Sequence, residues 1–571
     1  MATKKTKSGV GFLVGIAVLM VVLITGGILI SKLFKSKSPD ASRDAAITQL
    51  DKKLKRIKVS DVPARKAAVE IDGNTLAEEL PGIAKYPLSV EGRGPVNIEI
   101  FSSTEKSSSG TDGWLNEVAE KFNKEHHEIG GQWATISVRP VASGAAIDYI
   151  VSGKYVPEVY SPSNILWGEM LKSQNVDIKL ITDRIAGNTA GILVSRDTYS
   201  KLEGLYGTVD VSSVIKATVN SEITMGYTNP YASSTGLNFL VTALEEFDSA
   251  DILSPDATAQ FQKFQQNVPF VAYTTLQMRE AAAKGVLDAF ILEHQCFMNV
   301  ADLRDYRFIP FGVRHDNPVY TLGTLSADQQ ELVEIFVDYC LSDENQSLAK
   351  SYGFNQDAVA SHSKTLPSNI NGAALLSAQK LWKTEKDAGN PVMAVFVADV
   401  SGSMGGAPLQ NLQSSLINAS KYINDTNYVG LISYSSNVSV NLPIAKFDLN
   451  QRSYFTGAVE DLRPGGNTAT YDAVLVGLNL LKEAQEKVQT ETGVQVKPLL
   501  FVLSDGETNV GNKVGDIKSI VEGMEVPCYT IGYNANLKAL SELSSINEAA
   551  SINADSDDVI YNLKSLFNAQ M

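Results

Sequence analysis

Oxygen-bearing side chains cluster at three places in the C-terminal third of the chain, two of which directly follow apolar, strand-like runs. The stretch "FVADVSGSMGG" places Asp399, Ser401 and Ser403 at alternate positions directly after such a run. Thr468 lies in the glycine-rich stretch "LRPGGNTATYDA", and Asp505 follows the apolar run "LLFVLS". Functional residues of an open parallel sheet gather outside the carboxyl ends of its strands, so we expect these five side chains to meet at one sheet edge. The set suits either covalent chemistry on an aspartate or the binding of a hard cation.

Covalent chemistry on Asp399 is the less favoured of these two interpretations. An aspartate-based phosphotransferase commonly has a second carboxylate two residues further on, where this chain has Ser401. None of the five histidines lies near these motifs. A divalent cation explains the set better, because Mg²⁺ takes oxygen ligands in octahedral geometry and usually retains waters. The sequence therefore predicts a divalent-cation site, with Mg²⁺ as the default metal and Mn²⁺ or Ca²⁺ as alternatives.

The motifs "DVSGSM", "GGNT" and "LSDGE", in this order, resemble the metal-ion-dependent adhesion site of a von Willebrand factor A domain. The resemblance implies that Ser401, Ser403 and Thr468 are direct metal ligands, and that Asp399 and Asp505 bind the metal directly or through water. It also implies a protein partner that presents an aspartate or glutamate to the metal. The alternative is an ordinary strand-to-helix loop capped by serine and aspartate side chains.

A second set of polar stretches comes earlier in the chain, where strand-like runs end before helical patterns. These stretches are "IFSSTEKSSSG", "YSPSNILW" and "YTNPYASSTGLNF". Hydroxyl groups and free backbone N–H groups at helix starts bind anions or polar solutes, although each stretch alone can be a simple helix cap. The candidate ligand-binding residues are Ser102, Ser103, Thr104, Ser161, Ser163, Asn229, Tyr231, Ser233, Ser234 and Thr235.

The stretches "TNPYASSTGLNF", "YSPSNILW" and "FGVRHDNPVY" are similar to bacterial extracellular solute-binding proteins of the periplasmic-binding type, over about residues 94–356. The resemblance implies two lobes that close by a hinge over a small polar or anionic solute. An oxyanion, a sugar and a peptide all suit hydroxyl-rich loops. Glu293 and His294, after the run "LDAFIL", either line the same cleft or form a structural salt bridge or an exposed pair.

The N-terminus carries an uncharged apolar stretch from Val10 to Ile30. A helix of ~20 such residues spans a bilayer, whereas the apolar region of a signal peptide covers only ~7–15 residues. Lysines flank the stretch almost equally, so charge alone does not orient it. Because solute-binding domains work outside the cytoplasmic membrane, the resemblance places residues 1–9 in the cytoplasm and the bulk of the chain outside the cell. The three cysteines are expected to be buried free thiols.

Strand-like runs alternate with helical patterns over most of the chain, which predicts α/β domains with largely parallel sheets. The predicted fold class is an N-terminal transmembrane helix, a two-lobed periplasmic-binding-protein-like domain and a Rossmann-like von Willebrand A domain with a mainly parallel central sheet. The expected divisions are a cytoplasmic tail (1–9), a transmembrane anchor (10–30), a juxtamembrane stalk (31–93), a solute-binding-like domain (94–356), a linker with a helix (357–390) and the A domain (391–571).

The net charge of −15 argues against a nucleic-acid partner. Together these features predict a membrane-anchored, cell-surface binding protein without catalysis, which captures a small solute in the central domain and a protein partner through the metal. Two alternatives stay open at the level of sequence. One is a metal-dependent phosphohydrolase that uses Asp399 and Asp505, and the other is a membrane-tethered assembly or transport accessory factor.

Overall fold

The computed structural model describes residues 43–69, 82–268, 270–272, 287–356, 369–385, 390–505, 508–533 and 551–554, with a few single residues between these ranges. The chain divides into two compact units. Residues 74–388 form one unit, called here the central domain. The other unit, called the C-terminal domain, combines residues from 389 onward with the segment before residue 74.

The described strands are, in chain order, β1 (Val59–Asp61), β2 (Val96–Ser102), β3 (Glu128–Ile129), β4 (Gln132–Pro140), β5 (Val159–Ser161), β6 (Ile178–Thr182), β7 (Ala190–Val194), β8 (Met225–Thr228), β9 (Phe270–Ala272), β10 (Ala289–Glu293), β11 (Arg307–Pro310), β12 (Val319–Leu322), β13 (Val392–Asp399), β14 (Tyr428–Tyr434), β15 (Val438–Lys446), β16 (Lys497–Ser504), β17 (Cys528–Tyr533) and β18 (Ser551–Ala554). The described helices are α1 (Arg43–Leu54), α2 (Thr104–Ser107), α3 (Trp114–Lys124), α4 (Ser143–Ser152), α5 (Leu166–Ser173), α6 (Arg196–Tyr206), α7 (Val211–Val219), α8 (Ser234–Phe247), α9 (Pro255–Gln266), α10 (His294–Asn299), α11 (Ala327–Leu341), α12 (Asp343–Ser351), α13 (Gly372–Glu385), α14 (Ala407–Ser420), α15 (Leu449–Glu460), α16 (Thr470–Thr492) and α17 (Val514–Met524).

The described strands of the C-terminal domain form one sheet in the order β1-β15-β14-β13-β16-β17-β18. All of its pairings are parallel except that of β14 with β15. Every residue of the central strand β13 is buried, as expected for a continuous apolar run in a sheet covered on both faces. Helices α14 and α15 cover one face, and α1, α16 and α17 cover the other. This layering places the carboxyl ends of β13 and β16 side by side.

The segment before the central domain forms part of the C-terminal domain. Ala46 and Leu50 of α1 are fully buried in the core that α16 and α17 cover. Strand β1 pairs in parallel with β15 at the edge of the sheet, from Val59 opposite Val438 to Asp61 opposite Val440. The expected stalk over residues 31–93 is therefore corrected for residues 43–61. Residues 43–61 contain few apolar side chains. They nevertheless add an edge strand and a helix to a domain whose other elements lie far along the chain.

Replacing Leu50 with alanine should destabilise the C-terminal domain by about 2–5 kcal/mol, because Leu50 is fully buried in its core. All four tryptophans lie in the central domain, at positions 114, 133, 167 and 382. We therefore expect the variant to shift an unfolding transition seen by far-UV circular dichroism and to leave the tryptophan-fluorescence transition in place. Lys52→Ala, at an exposed position of the same helix, is the matched control. Equal transitions for both variants and the wild type would show that α1 does not stabilise this domain.

The central domain has two lobes, each built on its own sheet. One sheet has the order β3-β4-β2-β5-β12-β6, and the other has the order β11-β7-β10-β8-β9. Among the described residues, the chain passes between the lobes through residues 183–189 and 311–318. These two segments pair with each other, since the backbone N–H of His315 donates to the carbonyl of Asn188 at 3.1 Å. The lobes thus share a double connection, which is the arrangement of a hinge.

Helix α13, expected in a linker over residues 357–390, packs onto the central domain. Its Trp382 is fully buried and donates from Nε1 to the hydroxyl of Tyr227 at 2.6 Å. Gln379 donates from Nε2 to the carbonyl of Pro230 at 2.7 Å. The same helix also packs on α5 of the other lobe, where a Cβ on Gly372 would lie 2.1 Å from the carbonyl oxygen of Glu169. Helix α13 therefore contacts both lobes of the central domain.

The expectation of α/β domains with a mainly parallel C-terminal sheet is confirmed. The predicted tail and transmembrane stretch, residues 1–30, lie outside the described residues. Within the part of the chain that the structure describes, no helix is both long and apolar enough to cross a membrane. Cys296, Cys340 and Cys528 are buried free thiols, as predicted.

Candidate functional site

Asp399 ends the central strand β13 and is fully buried. Its Oδ1 accepts the backbone N–H of Ser401 at 2.8 Å. Its Oδ2 accepts the hydroxyl of Ser504 at 2.6 Å and that of Tyr434 at 3.3 Å. Burial, followed by the charge of Asp399, raises the pKa of Tyr434 well above its usual value, which keeps this phenol a proton donor. Donors from strands β14 and β16 and from the loop after β13 thus fix the aspartate at the sheet edge.

Three of the predicted ligands lie in contact beside this aspartate. The hydroxyls of Ser401 and Ser403 are 3.0 Å apart, and the Ser403 hydroxyl donates to Oδ1 of Asp505 at 3.0 Å. Adjacent oxygen ligands of an octahedral ion with bonds of ~2.1 Å lie about 3.0 Å apart, since an octahedron's edge is √2 times the bond length. Both separations are those of O–H···O hydrogen bonds, and they are also compatible with two edges of such an octahedron.

Thr468 is another predicted ligand. It lies in a loop that reaches the same sheet edge as Asp399. The backbone N–H of Gly402 donates to the carbonyl of Gly466 at 3.0 Å, which joins this loop to the serine loop. The N–H of Thr468 donates to Oδ1 of Asn509 at 2.9 Å. Asp472, one helical turn further on, accepts the N–H of Asn512 at 2.9 Å and so orients the same neighbouring loop.

The charge balance of this edge suits a divalent cation. Burial raises the pKa of Asp505, and the nearby charge of Asp399 raises it further. Two carboxylates and several hydroxyls, with no basic side chain among their hydrogen-bond partners above, form an oxygen-only donor set that a hard cation prefers. The described residues contain no group of three or more histidine, cysteine, aspartate or glutamate side chains placed to hold a metal. A site here therefore depends on the serine and threonine hydroxyls.

In the central domain, Lys106 is a fully buried cation that the sequence did not single out. It lies in α2, directly after β2, and its Nζ donates to the hydroxyl of Ser103 and to the carbonyl of Ser161, both at 2.7 Å. Burial lowers the pKa of Lys106 to about 7, against the opposing influence of Glu105 and Glu293. Since Glu293 ends β10 in the other lobe, Lys106 lies where the two lobes face each other.

Of the hydroxyls predicted in the first two polar stretches, only that of Ser103 contacts Lys106. Ser102 and Thr104 are buried beside it, and Thr104 Oγ1 donates to Glu105 at 3.4 Å. Ser161 shares the strand face of Val159, and both line an apolar cavity under the sheet. The Ser161 and Ser163 hydroxyls are buried and have no hydrogen-bond partner among the described residues.

The third polar stretch serves the packing of the lobes more than an open cleft. Asn229 Oδ1 accepts the N–H of Tyr231 at 2.8 Å, and Ser233 caps α8 through the N–H of Gly236 at 3.3 Å. The hydroxyl of Ser234 accepts Nε1 of Trp167 at 2.8 Å. It also donates to Ser143 of the other lobe at 3.0 Å.

Thr235 joins a buried network that spans the hinge. Its hydroxyl donates to Oε1 of Glu293 at 3.3 Å, and Glu293 also contacts Nδ1 of His315 at 2.8 Å. Nε2 of His315 lies 3.0 Å and 3.1 Å from the side-chain nitrogens of Asn164 and Asn238. Because both amides are donors, Nε2 is the acceptor and Nδ1 carries the proton. Glu293 and His294 are therefore not a pair: the carboxylate bonds to His315 instead.

Comparison with protein families assigns both domains. Residues 107–355 match the family of bacterial extracellular solute-binding proteins, and residues 394–569 match the von Willebrand factor type A domain. The chain carries an extracellular solute-binding domain followed by a von Willebrand factor type A domain. Such A domains commonly use a divalent cation at an adhesion site of the kind described above.

Curated relatives match over a short part of their length. Inter-alpha-trypsin inhibitor heavy chain H3 of Bos taurus is 28% identical over 155 residues, which are 26% of this chain and 17% of that protein. Heavy chain H4 of Bos taurus is 27% identical over 184 residues, 30% of this chain and 19% of that protein. The chain thus spans less than a fifth of the length of these relatives.

Solved structures resemble each domain separately. A von Willebrand factor type A protein from Catenulispora acidiphila has a TM-score of 0.28 at 16% identity, over 31% of this chain and 42% of that one. The periplasmic binding protein AfuA from Actinobacillus pleuropneumoniae, solved with fructose-6-phosphate, has a TM-score of 0.39 at 12% identity, over 51% of this chain and 98% of that one.

The solute-binding domain has closely apposed lobes, which gives a testable contact. Gly144 of α4 donates from its N–H to the carbonyl of Ala232 at 3.0 Å, and a Cβ at Gly144 would lie 1.8 Å from the carbonyl oxygen of Tyr231. Gly144→Ala should hold the lobes apart and increase hydrogen exchange, measured by mass spectrometry, in peptides containing either residue. Gly204→Ala, with open space around its Cβ, is the control. Exchange equal to that of the control would refute this closure contact.

Proposed function

We propose that the protein is a non-catalytic, membrane-anchored binding protein of the cell surface. The apolar stretch Val10–Ile30 supports the anchor, with residues 1–9 in the cytoplasm and both domains outside. The match to extracellular solute-binding proteins supports this orientation. The absence of a second carboxylate two residues after Asp399 supports binding over phosphoryl transfer, since Ser401 stands there.

The observation that carries the proposal is the contact of Ser401, Ser403 and Asp505 at octahedral-edge separations of 3.0 Å. Ser401, Ser403 and Thr468 would hold Mg²⁺ directly, and Asp399 and Asp505 would hold it directly or through water. When bound, the cation would supply a positive charge that attracts an aspartate or glutamate of a protein partner. Ser504 and Tyr434 keep the buried Asp399 oriented for this role.

For the solute-binding domain we propose an anionic small molecule as ligand. Lys106 is buried with two neutral oxygen acceptors and has no carboxylate within salt-bridge distance among the described residues. A buried ammonium without an ion-pair partner is costly, and an anion in the cleft would complete its coordination. The hydroxyl of Ser103 lies next to this ammonium and would orient the ligand.

The test is calorimetric titration of the full chain, first with MgCl₂ and then with sulfate, phosphate, acetate and citrate at constant ionic strength. We expect saturable Mg²⁺ binding and saturable binding of at least one anion, with no turnover of a phosphoester panel in Mg²⁺. Metal-dependent turnover that is lost in Asp399→Asn would refute the non-catalytic assignment. Failure of both titrations with a folded protein would refute the binding function.

A further inference from the structure

The two hinge segments of the solute-binding domain each carry an arginine. Arg184 lies on the segment that leads from β6 to β7, and Arg314 lies on the segment that leads from β11 to β12. The segments are joined by backbone hydrogen bonds, including that from Ile185 N–H to the carbonyl of Asp316 at 3.2 Å. A ligand held by both arginines would therefore touch both connections between the lobes.

Both guanidinium groups lie near the carboxylate of Asp316. Arg314 binds Asp316 through two contacts of 2.7 Å, whereas Nε of Arg184 lies 4.0 Å from the same carboxylate. Nη2 of Arg184 donates to the neutral oxygen of Asn355 at 3.0 Å. A Cβ built on Gly187 would lie 2.4 Å from Nη2 of Arg184 and 3.0 Å from Nη2 of Arg314, so both groups converge there. Among the described residues, the only salt-bridge contact of Arg184 is thus with a carboxylate that Arg314 already binds.

A buried histidine of the β10–α10 junction faces the same place. His294, only 7% exposed, lines a polar pocket together with Arg184, Arg314, Asn188 and Thr189. Its Nδ1 is buried without a hydrogen-bond partner among the described residues, while its ring packs edge-on to Phe308 at 5.0 Å. Burial lowers the pKa of His294 to about 4, so the ring is neutral. Leaving a buried nitrogen without a hydrogen-bond partner is unfavourable, and a ligand in the pocket would supply that partner.

We propose that this hinge pocket, formed by Arg184, Arg314 and His294, is a second anion site, for a small oxyanion. The guanidinium groups bind two oxygens of a phosphate, sulfate or carboxylate, and His294 Nδ1 binds a third polar atom. Because the pocket is lined by both hinge segments, a bound oxyanion restricts the angle between the lobes and so tunes capture at the Lys106 cleft. The proposed hinge site is formed by residues other than those of the candidate metal site and of the proposed solute site at Lys106.

The experiment uses the full chain with Lys106→Met, which removes the cleft cation and leaves the hinge pocket intact. Phosphate, sulfate and acetate are titrated separately at constant ionic strength, which distinguishes inorganic oxyanions from carboxylates. We expect saturable binding of at least one of them, weakened at least tenfold by Arg184→Gln and by His294→Phe. Arg196→Gln, at an exposed arginine paired with Asp305 on the same domain, should leave it unchanged.

Thermal melts followed by tryptophan fluorescence establish whether each variant is folded. If Arg184→Gln is not folded, Arg184→Lys is used in its place. Arg184→Lys retains the charge but not the two-pronged contact, so we expect an intermediate affinity. No saturable binding by the Lys106→Met chain would overturn the proposal. Binding that Arg184→Gln and His294→Phe leave unchanged would overturn it equally, by placing the anion elsewhere. Because Lys106 is absent from this test, its failure does not bear on the cleft.

Discussion

Ser401→Ala should weaken Mg²⁺ binding by the full chain roughly 100-fold, and Asp399→Asn should weaken it roughly 10- to 100-fold. The alanine removes a hydroxyl that lies 3.0 Å from its neighbour Ser403 at the octahedral edge. The asparagine keeps the shape of Asp399 but removes the negative charge behind the site, and partners of this kind typically contribute 10- to 100-fold in metal affinity. Calorimetric titration with MgCl₂ measures both losses.

The matched control is Ser439→Ala on strand β15, whose hydroxyl lies 3.1 Å from that of Ser60 in an exposed position. We expect this variant to bind Mg²⁺ like the wild type. Chelation should also lower the melting temperature of the wild-type A domain, because a ligand present at 100 times its Kd stabilises the folded state by about 2.7 kcal/mol. A Ser401→Ala titration curve that overlays the control would remove the metal assignment.

Lys106→Met should weaken capture of the anionic solute roughly 10- to 100-fold, since hydrogen bonds to a charged group contribute about 1.5–3 kcal/mol. The measurement is titration with the anion that the wild type binds, in an Arg184→Gln background so that the hinge pocket does not contribute. Lys124→Met, at an exposed lysine paired with Glu120, is the control. Retained affinity in Lys106→Met would place the solute away from this ammonium.

The same lysine predicts how stability depends on pH. Its pKa is about 7 in the folded domain, under burial and the opposing charges of Glu105 and Glu293, and ~10.4 when unfolded. Between these values the unfolded chain binds more protons than the native one. Stability should therefore rise with pH across this window, by up to about 1.4 kcal/mol per pH unit. Denaturation followed by tryptophan fluorescence should show this rise in the wild type and a flatter profile in Lys106→Met.

The meeting of Asp399, Ser401, Ser403 and Asp505 at one sheet edge could be predicted from the sequence, because it depends on features that are local in the chain. Asp399 and Asp505 each follow an apolar run long enough to be a buried strand, and parallel strands bring their carboxyl ends together. Thr468 required only that a glycine-rich loop reach the same edge. The identity of the Asp399 partner Ser504 was also accessible, because it directly precedes Asp505 in the motif.

The proposed solute site at Lys106 was harder to predict, because it depends on burial, which composition does not reveal. Lysine is almost never fully buried, so the sequence "SSTEKSSSG" predicts that Lys106 is exposed to solvent. Strand alternation, applied to Val159 and Ser161, would have placed the Ser161 side chain on the apolar face. The edge strand β1 was missed for a different reason: its three exposed residues carry almost no pattern, and their partners lie far along the chain.

The long sequence separation between β1 and its partner strand β15 affects how the protein folds during synthesis. Ser60 and its partner Ser439 are 379 residues apart, and the whole solute-binding domain is synthesised between them. At ~5–20 residues per second, the nascent α1 and β1 wait roughly 20–80 s for the sheet they complete. During that interval Ala46 and Leu50 are exposed on a chain whose later half does not yet exist. Chaperone binding to this early segment, or a pause in its synthesis, should therefore govern the yield of the A domain while leaving the solute-binding domain unaffected.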